Sequence, residues 1–138
     1  MGIIPNPEGI CLMVARVFDE RGTQDSSQIT AAVEWCADNG ARVINMSLGG
    51  DEEDKDDKKF FKTLWDEGVL VVAAAGNNGD TTKKYPASYP GVLSVAAVDE
   101  DFKRADFSVA NEFVDLSAPG TCLPCHIDQA GFRFRSKY

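Results

Sequence analysis

Apolar residues in this chain fall into short, nearly continuous runs separated by polar and glycine-rich breaks. Ile10 to Phe18 is the first such run, bounded by Gly9 and by Asp19-Glu20-Arg21-Gly22. A run of this length without polar alternation suits a strand buried on both faces, so a strand and a following turn are predicted. The period then changes. Beyond Ser26 or Ser27, either of which supplies a capping hydroxyl, Ile29, Ala32, Val33 and Cys36 fall on one helix face, and Gly40 marks its stop. Arg42 to Met46 is the next predicted strand, ending at Ser47-Leu48-Gly49-Gly50. A second helix is predicted to start in the acidic run from Asp51 to Lys59, because carboxylates favour the positive end of the helix dipole. It continues through Phe60, Phe61, Leu64 and Trp65 to Gly68, and two more strands follow at Val69 to Ala75 and Val92 to Val98.

Strands alternating with helices imply right-handed crossovers and a parallel sheet. The expected fold class is therefore α/β, a mainly parallel sheet flanked by helices in three layers. Ligands bind such sheets at the carboxyl ends of the strands. There the run from Val69 breaks into Gly76-Asn77-Asn78-Gly79 and delivers a polar side chain to that edge. A neutral amide in this place can donate to an oxyanion without being consumed, although asparagine also suits a plain turn.

Composition narrows the classes. A chain of 138 residues with 43% apolar content suits one domain with a core. A formal charge of −8 argues against nucleic acid or an anionic membrane as partner. No stretch approaches a membrane span, no signal peptide opens the chain, and nothing in it points to an oligomer. The acidic run lacks the spacing and turn glycine of an EF-hand, so a solvated helix start is expected. Cys11 and Cys36 read as small buried hydrophobes rather than as a bridge. Cys122, Cys125 and His126 match the haem-attachment spacing, but they lie in a tail without the surrounding helices, so haem, zinc and redox use are not expected.

Several segments occur in a telling order: Val43 to Gly50, Val69 to Gly79, Tyr85-Pro86-Ala87-Ser88-Tyr89-Pro90-Gly91-Val92 running on to Asp99, Phe107-Ser108, and Val114 to Gly120. Together they resemble the central part of the subtilisin-like serine peptidases, and ordered motifs are far harder to meet by accident than one pattern. The resemblance implies a partial peptidase domain over residues 1–120 and a divergent, poorly ordered tail over 121–138. It implies an endopeptidase hydrolysing peptide or protein substrates through an acyl-enzyme, with no cofactor needed for the chemistry and a secretory compartment. It assigns Ser47, Leu48 and Gly49 to one wall of the primary specificity pocket, the wall that pairs with the substrate backbone. Ala74, Ala75 and Gly76 form the opposite wall, and Asn77 is the oxyanion-hole donor. The carbonyls of Ala87, Tyr89 and Val92 with the Asp115 carboxylate match a weak calcium or monovalent cation site of some relatives; Asp115 reads equally well as an ordinary polar residue.

The chain also departs from the family. The catalytic aspartate, histidine and serine have none of their usual settings: Asp25-Ser26-Ser27 opens a helix, the single histidine is His126, and Thr121-Cys122-Leu123-Pro124 stands where a Gly-Thr-Ser segment is expected. A hydroxyl without a base is a poor nucleophile at neutral pH. The expectation is a chain inactive alone, either part of an active peptidase or a non-catalytic relative that kept the peptide cradle.

Overall fold

The computed structural model describes residues 9–18 and 26–121. The predicted turn at 19–22 and the tail beyond Thr121, with Cys122, Cys125 and His126, lie outside the described residues. Two helices and four strands follow in the order α1 (Ser26–Asp38), β1 (Val43–Met46), α2 (Lys55–Asp66), β2 (Leu70–Ala74), β3 (Val92–Val98) and β4 (Leu116–Pro119). The strands form one parallel sheet in the order β1-β2-β3-β4.

Register puts the largest apolar side chains in rows. Ile44 aligns with Val71 and Val71 with Val92, while Met46 aligns with Ala73 and Ala73 with Ser94. Successive strand residues alternate between faces, so these rows share one face, and all of them are buried. Both helices pack onto that face: Val33 and Cys36 of α1 and Phe61 and Leu64 of α2 join Ile44, Met46, Val71, Ala73 and Val92 in one core. The architecture is the α/β parallel sheet expected, with sheet and helices supplying two of the three layers among the described residues.

Local chemistry sets the helix ends. Gly40 donates to the Ala37 carbonyl at 2.9 Å and Ala41 to the Cys36 carbonyl at 2.9 Å, which closes α1 at the predicted glycine. At α2 the Asp54 carboxylate accepts from the backbone N–H of Asp56 at 2.7 Å and of Asp57 at 3.0 Å, two donors otherwise orphaned. Asp56 and Asp57 then occupy the first turn, as the dipole argument requires. The helix therefore begins part-way along the acidic run, and Asp51, Glu52 and Glu53 stay outside it. Tyr89 reinforces this start: its hydroxyl accepts from the Asp54 N–H at 2.8 Å, and its ring stacks on Phe61 with centroids 5.7 Å apart.

Two elements differ from expectation. Residues 10–18 form no strand, and none of their backbone groups bonds to another described residue. Leu12 is 57% and Val14 77% exposed, and Cys11 is exposed, whereas Cys36 is buried as expected. An apolar run becomes a strand only where it pairs with another backbone, and residues 10–18 pair with none of those described. Conversely β4, to which the apolar pattern assigns no strand, adds to the far edge of the sheet. It is short, its side chains are exposed, and it ends in Pro119, which an edge position tolerates.

Candidate functional site

Parallel strands deliver their following residues to one end of the sheet. Ser47, Leu48 and Gly49 leave β1 there, and Ala75, Gly76 and Asn77 leave β2. The two stretches are held differently. Ala75 donates to the Val95 carbonyl at 2.9 Å, the Gly76 carbonyl accepts from Val109 at 3.0 Å, and Gly79 donates to the Phe107 carbonyl at 2.7 Å. Asn77 thus sits on a backbone pinned on both sides. Asn77 is exposed, and its side-chain amide makes no hydrogen bond to another described residue, so both of its N–H donors are unused among them. Ser47, Leu48 and Gly49 make no backbone hydrogen bond to another described residue; the hydroxyl of Ser47 accepts from the Asn45 side chain at 3.0 Å.

The segment at 84–85 joins the two stretches. Gly50 and Tyr85 exchange both backbone hydrogen bonds at 2.9 Å each. A Cβ on Gly49 would lie 3.2 Å from the Tyr85 carbonyl oxygen. On the other side, a Cβ on Gly76 would lie 2.7 Å from Lys84 Cγ and 3.0 Å from Val109 Cγ2, so only glycine lets the lysine stem pass this close. Small residues on both stretches are what this approach demands.

An open cleft of about 540 Å³ lies alongside, lined by Asp51, Glu53, Asn78, Thr82, Lys83, Lys84 and Tyr85. Ser47, Leu48, Gly49, Ala74, Ala75, Gly76 and Asn77 are not in its lining; they are the residues to which the lining attaches. Lys84 is buried and forms an ion pair with Asp51, whose side chain is 76% exposed. Glu53 accepts from Lys58 Nζ at 3.0 Å and from the Tyr85 hydroxyl at 3.2 Å. These two hydrogen bonds, that of Lys58 first, hold the Glu53 carboxyl below its ordinary pKa. Burial, and then the bond to Glu53, push the Tyr85 phenol up. Asp80 is lowered by the Thr82 hydroxyl at 2.7 Å and then by the Thr82 N–H at 3.0 Å, which fixes the turn on the rim. Lys83 lies over the Phe113 ring, 4.5 Å from its centroid.

Asp51, Glu53 and Lys84 escape a reading by pattern. The two acids merge into a helix-start signal and the lysine into a surface pair, and the only clue is position, immediately after Gly49-Gly50 and immediately before Tyr85. Ala87 and Tyr89 lie buried in the turn before β3, and the buried Val92 opens that strand. The Tyr89 carbonyl accepts from Val92 at 3.2 Å, and Asp115 Oδ2 accepts from the Ser94 N–H at 2.8 Å, leaving Oδ1 uncommitted among the described residues.

Parallel strands followed by a glycine-flanked amide, beside a strand end with its backbone groups unused, place the chain among α/β proteins with an open strand-end site, and comparison with known proteins gives the family. The subtilase family model matches residues 7–137, and the chain belongs to this family of subtilisin-like serine peptidases. It is 41% identical to the thermophilic serine proteinase of Bacillus sp. strain AK1 over 119 residues, which cover 86% of this chain and 29% of that protein. With thermitase of Thermoactinomyces vulgaris it shares 34% identity over 122 residues, 88% of this chain and 44% of that one. The crystal structure of the psychrophilic subtilisin-like protease Apa1 from the Antarctic psychrotroph Pseudoalteromonas sp. AS-11 superimposes with a TM-score of 0.72 at 44% identity, covering 76% of this chain and 24% of that chain. The chain thus spans less than half the length of these relatives. No described helix is long and apolar enough to cross a membrane.

Proposed function

We propose that these residues form the substrate-binding and oxyanion-stabilising part of a subtilisin-like serine endopeptidase of the secretory route. The observation that carries the reading is the Asn77 amide, unengaged on a pinned backbone next to the unpaired strand end at 47–49. A substrate peptide adds as a further strand to Ser47, Leu48 and Gly49, which supply backbone hydrogen bonds without first breaking any. Its side chain enters between that stretch and Ala74, Ala75 and Gly76. As the scissile carbonyl becomes tetrahedral, the Asn77 side-chain N–H donates to the developing oxyanion. Because the backbone holding it is already fixed, little reorganisation opposes that donation.

The same geometry serves a non-catalytic relative that binds peptides, and the lack of the family's Asp, His and Ser settings within the 138 residues favours keeping that second reading. In both, this chain alone does not hydrolyse peptides. Ala87, Tyr89, Val92 and Asp115 would hold a weakly bound cation, which would add rigidity to the turn before β3 and take no part in the chemistry.

Asn77→Leu removes the donor at nearly constant volume. In a form of the protein that carries the triad, kcat falls about 10²- to 10³-fold, a magnitude established on a subtilisin and therefore a family value. An unchanged kcat in steady-state assays rejects the assignment.

A further inference from the structure

Lys84 is the only buried charged residue among those described. Lysine is almost never buried unless something holds its charge, and what holds this one is lopsided. The stem lies in the gap that Gly76 leaves open, while the ammonium faces the cleft and pairs with an Asp51 side chain that is 76% exposed. An ammonium has three donors, and Asp51 is its one acceptor among the described residues. The neighbouring charges are occupied elsewhere. Glu53 holds Lys58 and Tyr85, and Lys83 sits over Phe113.

We propose that Lys84 makes this cleft selective for peptides carrying an acidic side chain, whose carboxylate joins or replaces Asp51 on the ammonium. The proposal rests on the cradle reading, in which a substrate side chain enters between the stretches at 47–49 and 74–76, and extends it to the adjoining cleft, which Lys84 lines while its stem lies against Gly76. A charge inside the wall acts through little water, whereas the exposed Asp51 is screened by solvent and salt. The buried cation therefore outweighs the exposed anion in choosing a ligand. A basic side chain reaching for Asp51 would bring its own charge against Lys84, and an apolar one would strip water from the ammonium without replacing it.

The test titrates the full chain, labelled with ¹⁵N, with short acetylated alanine peptides that differ by a single Glu, Gln, Leu or Lys. The amide signals of Gly49 and Gly76 report on the cradle. The Glu peptide binds about tenfold more tightly than the Leu and Lys peptides. Lys84→Met abolishes that preference and Lys84→Glu turns it towards the Lys peptide. Asp51→Asn, whose amide oxygen still accepts from the ammonium, removes the competing carboxylate and raises affinity for the Glu peptide a few-fold, and the dispersed amide spectrum of the free variant checks that it folds. Equal or tighter binding of the Leu or Lys peptide, or a Glu preference that survives Lys84→Met, overturns the proposal and leaves the cradle intact. Signals unmoved by every peptide overturn both.

Discussion

The stretches at 47–50 and 75–79 leave neighbouring strands at the same end of the sheet, yet they solve opposite problems. Around Asn77 the backbone is held at Ala75 by β3 and at Gly76 and Gly79 by the loop at 105–109, whereas Ser47, Leu48 and Gly49 make no backbone hydrogen bond to another described residue. On the proposed function, a group that acts on a charge as it forms has to be in place beforehand, so rigidity would be useful in the stretch at 75–79. On the same proposed function, a group that pairs with an arriving peptide has to be unpaired beforehand, which the open stretch at 47–49 would satisfy. The sheet supplies both from adjacent strands, and the bridge between Gly50 and Tyr85 sets their relative position.

This contrast can be broken from the rigid side first. Gly79 has φ +73°, and a Cβ there would lie 2.5 Å from the Asp106 carbonyl oxygen. Gly79→Ala therefore combines left-handed backbone strain with a clash against backbone, and a loss of about 2–4 kcal/mol is expected from urea unfolding. A loss below about 0.5 kcal/mol means that the pinning is not what holds this stretch.

A middling effect comes from the residue that anchors the continuation of the open stretch. Tyr89→Phe removes the acceptor for the Asp54 N–H and costs about 1 kcal/mol. Burial raises the Tyr89 phenol above its ordinary pKa. The folded chain is then the tighter proton binder. Stability holds below about pH 10, the unfolded value, and falls as pH rises through the higher folded one. Alkaline unfolding monitored by circular dichroism falls less steeply in Tyr89→Phe; an unaltered slope removes Tyr89 from the explanation.

The smallest effect on stability belongs to the open side. Gly49→Ala places a methyl 3.2 Å from the Tyr85 oxygen, tight but relieved by a small shift, so it costs less than about 1 kcal/mol. Peptide affinity falls several-fold, because a ligand strand can no longer approach the backbone closely. If calorimetry shows Gly49→Ala to be as damaging as Gly79→Ala, the two stretches do not differ in the way described.

Elements whose signal is local were legible before any coordinates. The limits of β3, the buried face of α1 and the stop at Gly40 follow from periodicity and backbone preference alone. The run at 10–18 carries the same apolar signal as β3 but pairs with no described strand, and pairing is invisible in a window of ten residues. Asn77 stood out because an apolar run stopped at it, while its role came only through the family resemblance. Lys84 was illegible for a different reason. Lysine reads as surface, and its burial depends on a glycine eight positions away in sequence and in contact in space.

The sheet has two ends of unequal character. At β4 the outer edge carries Pro119, which cannot donate, and the strand is short. At β1 the outer edge has no described strand beyond it, and Val43 is 63% exposed. A row of unused donors and acceptors beside apolar side chains is a template for any extended chain, including another copy of this one. A further strand would thus add to the described sheet along β1 rather than along β4.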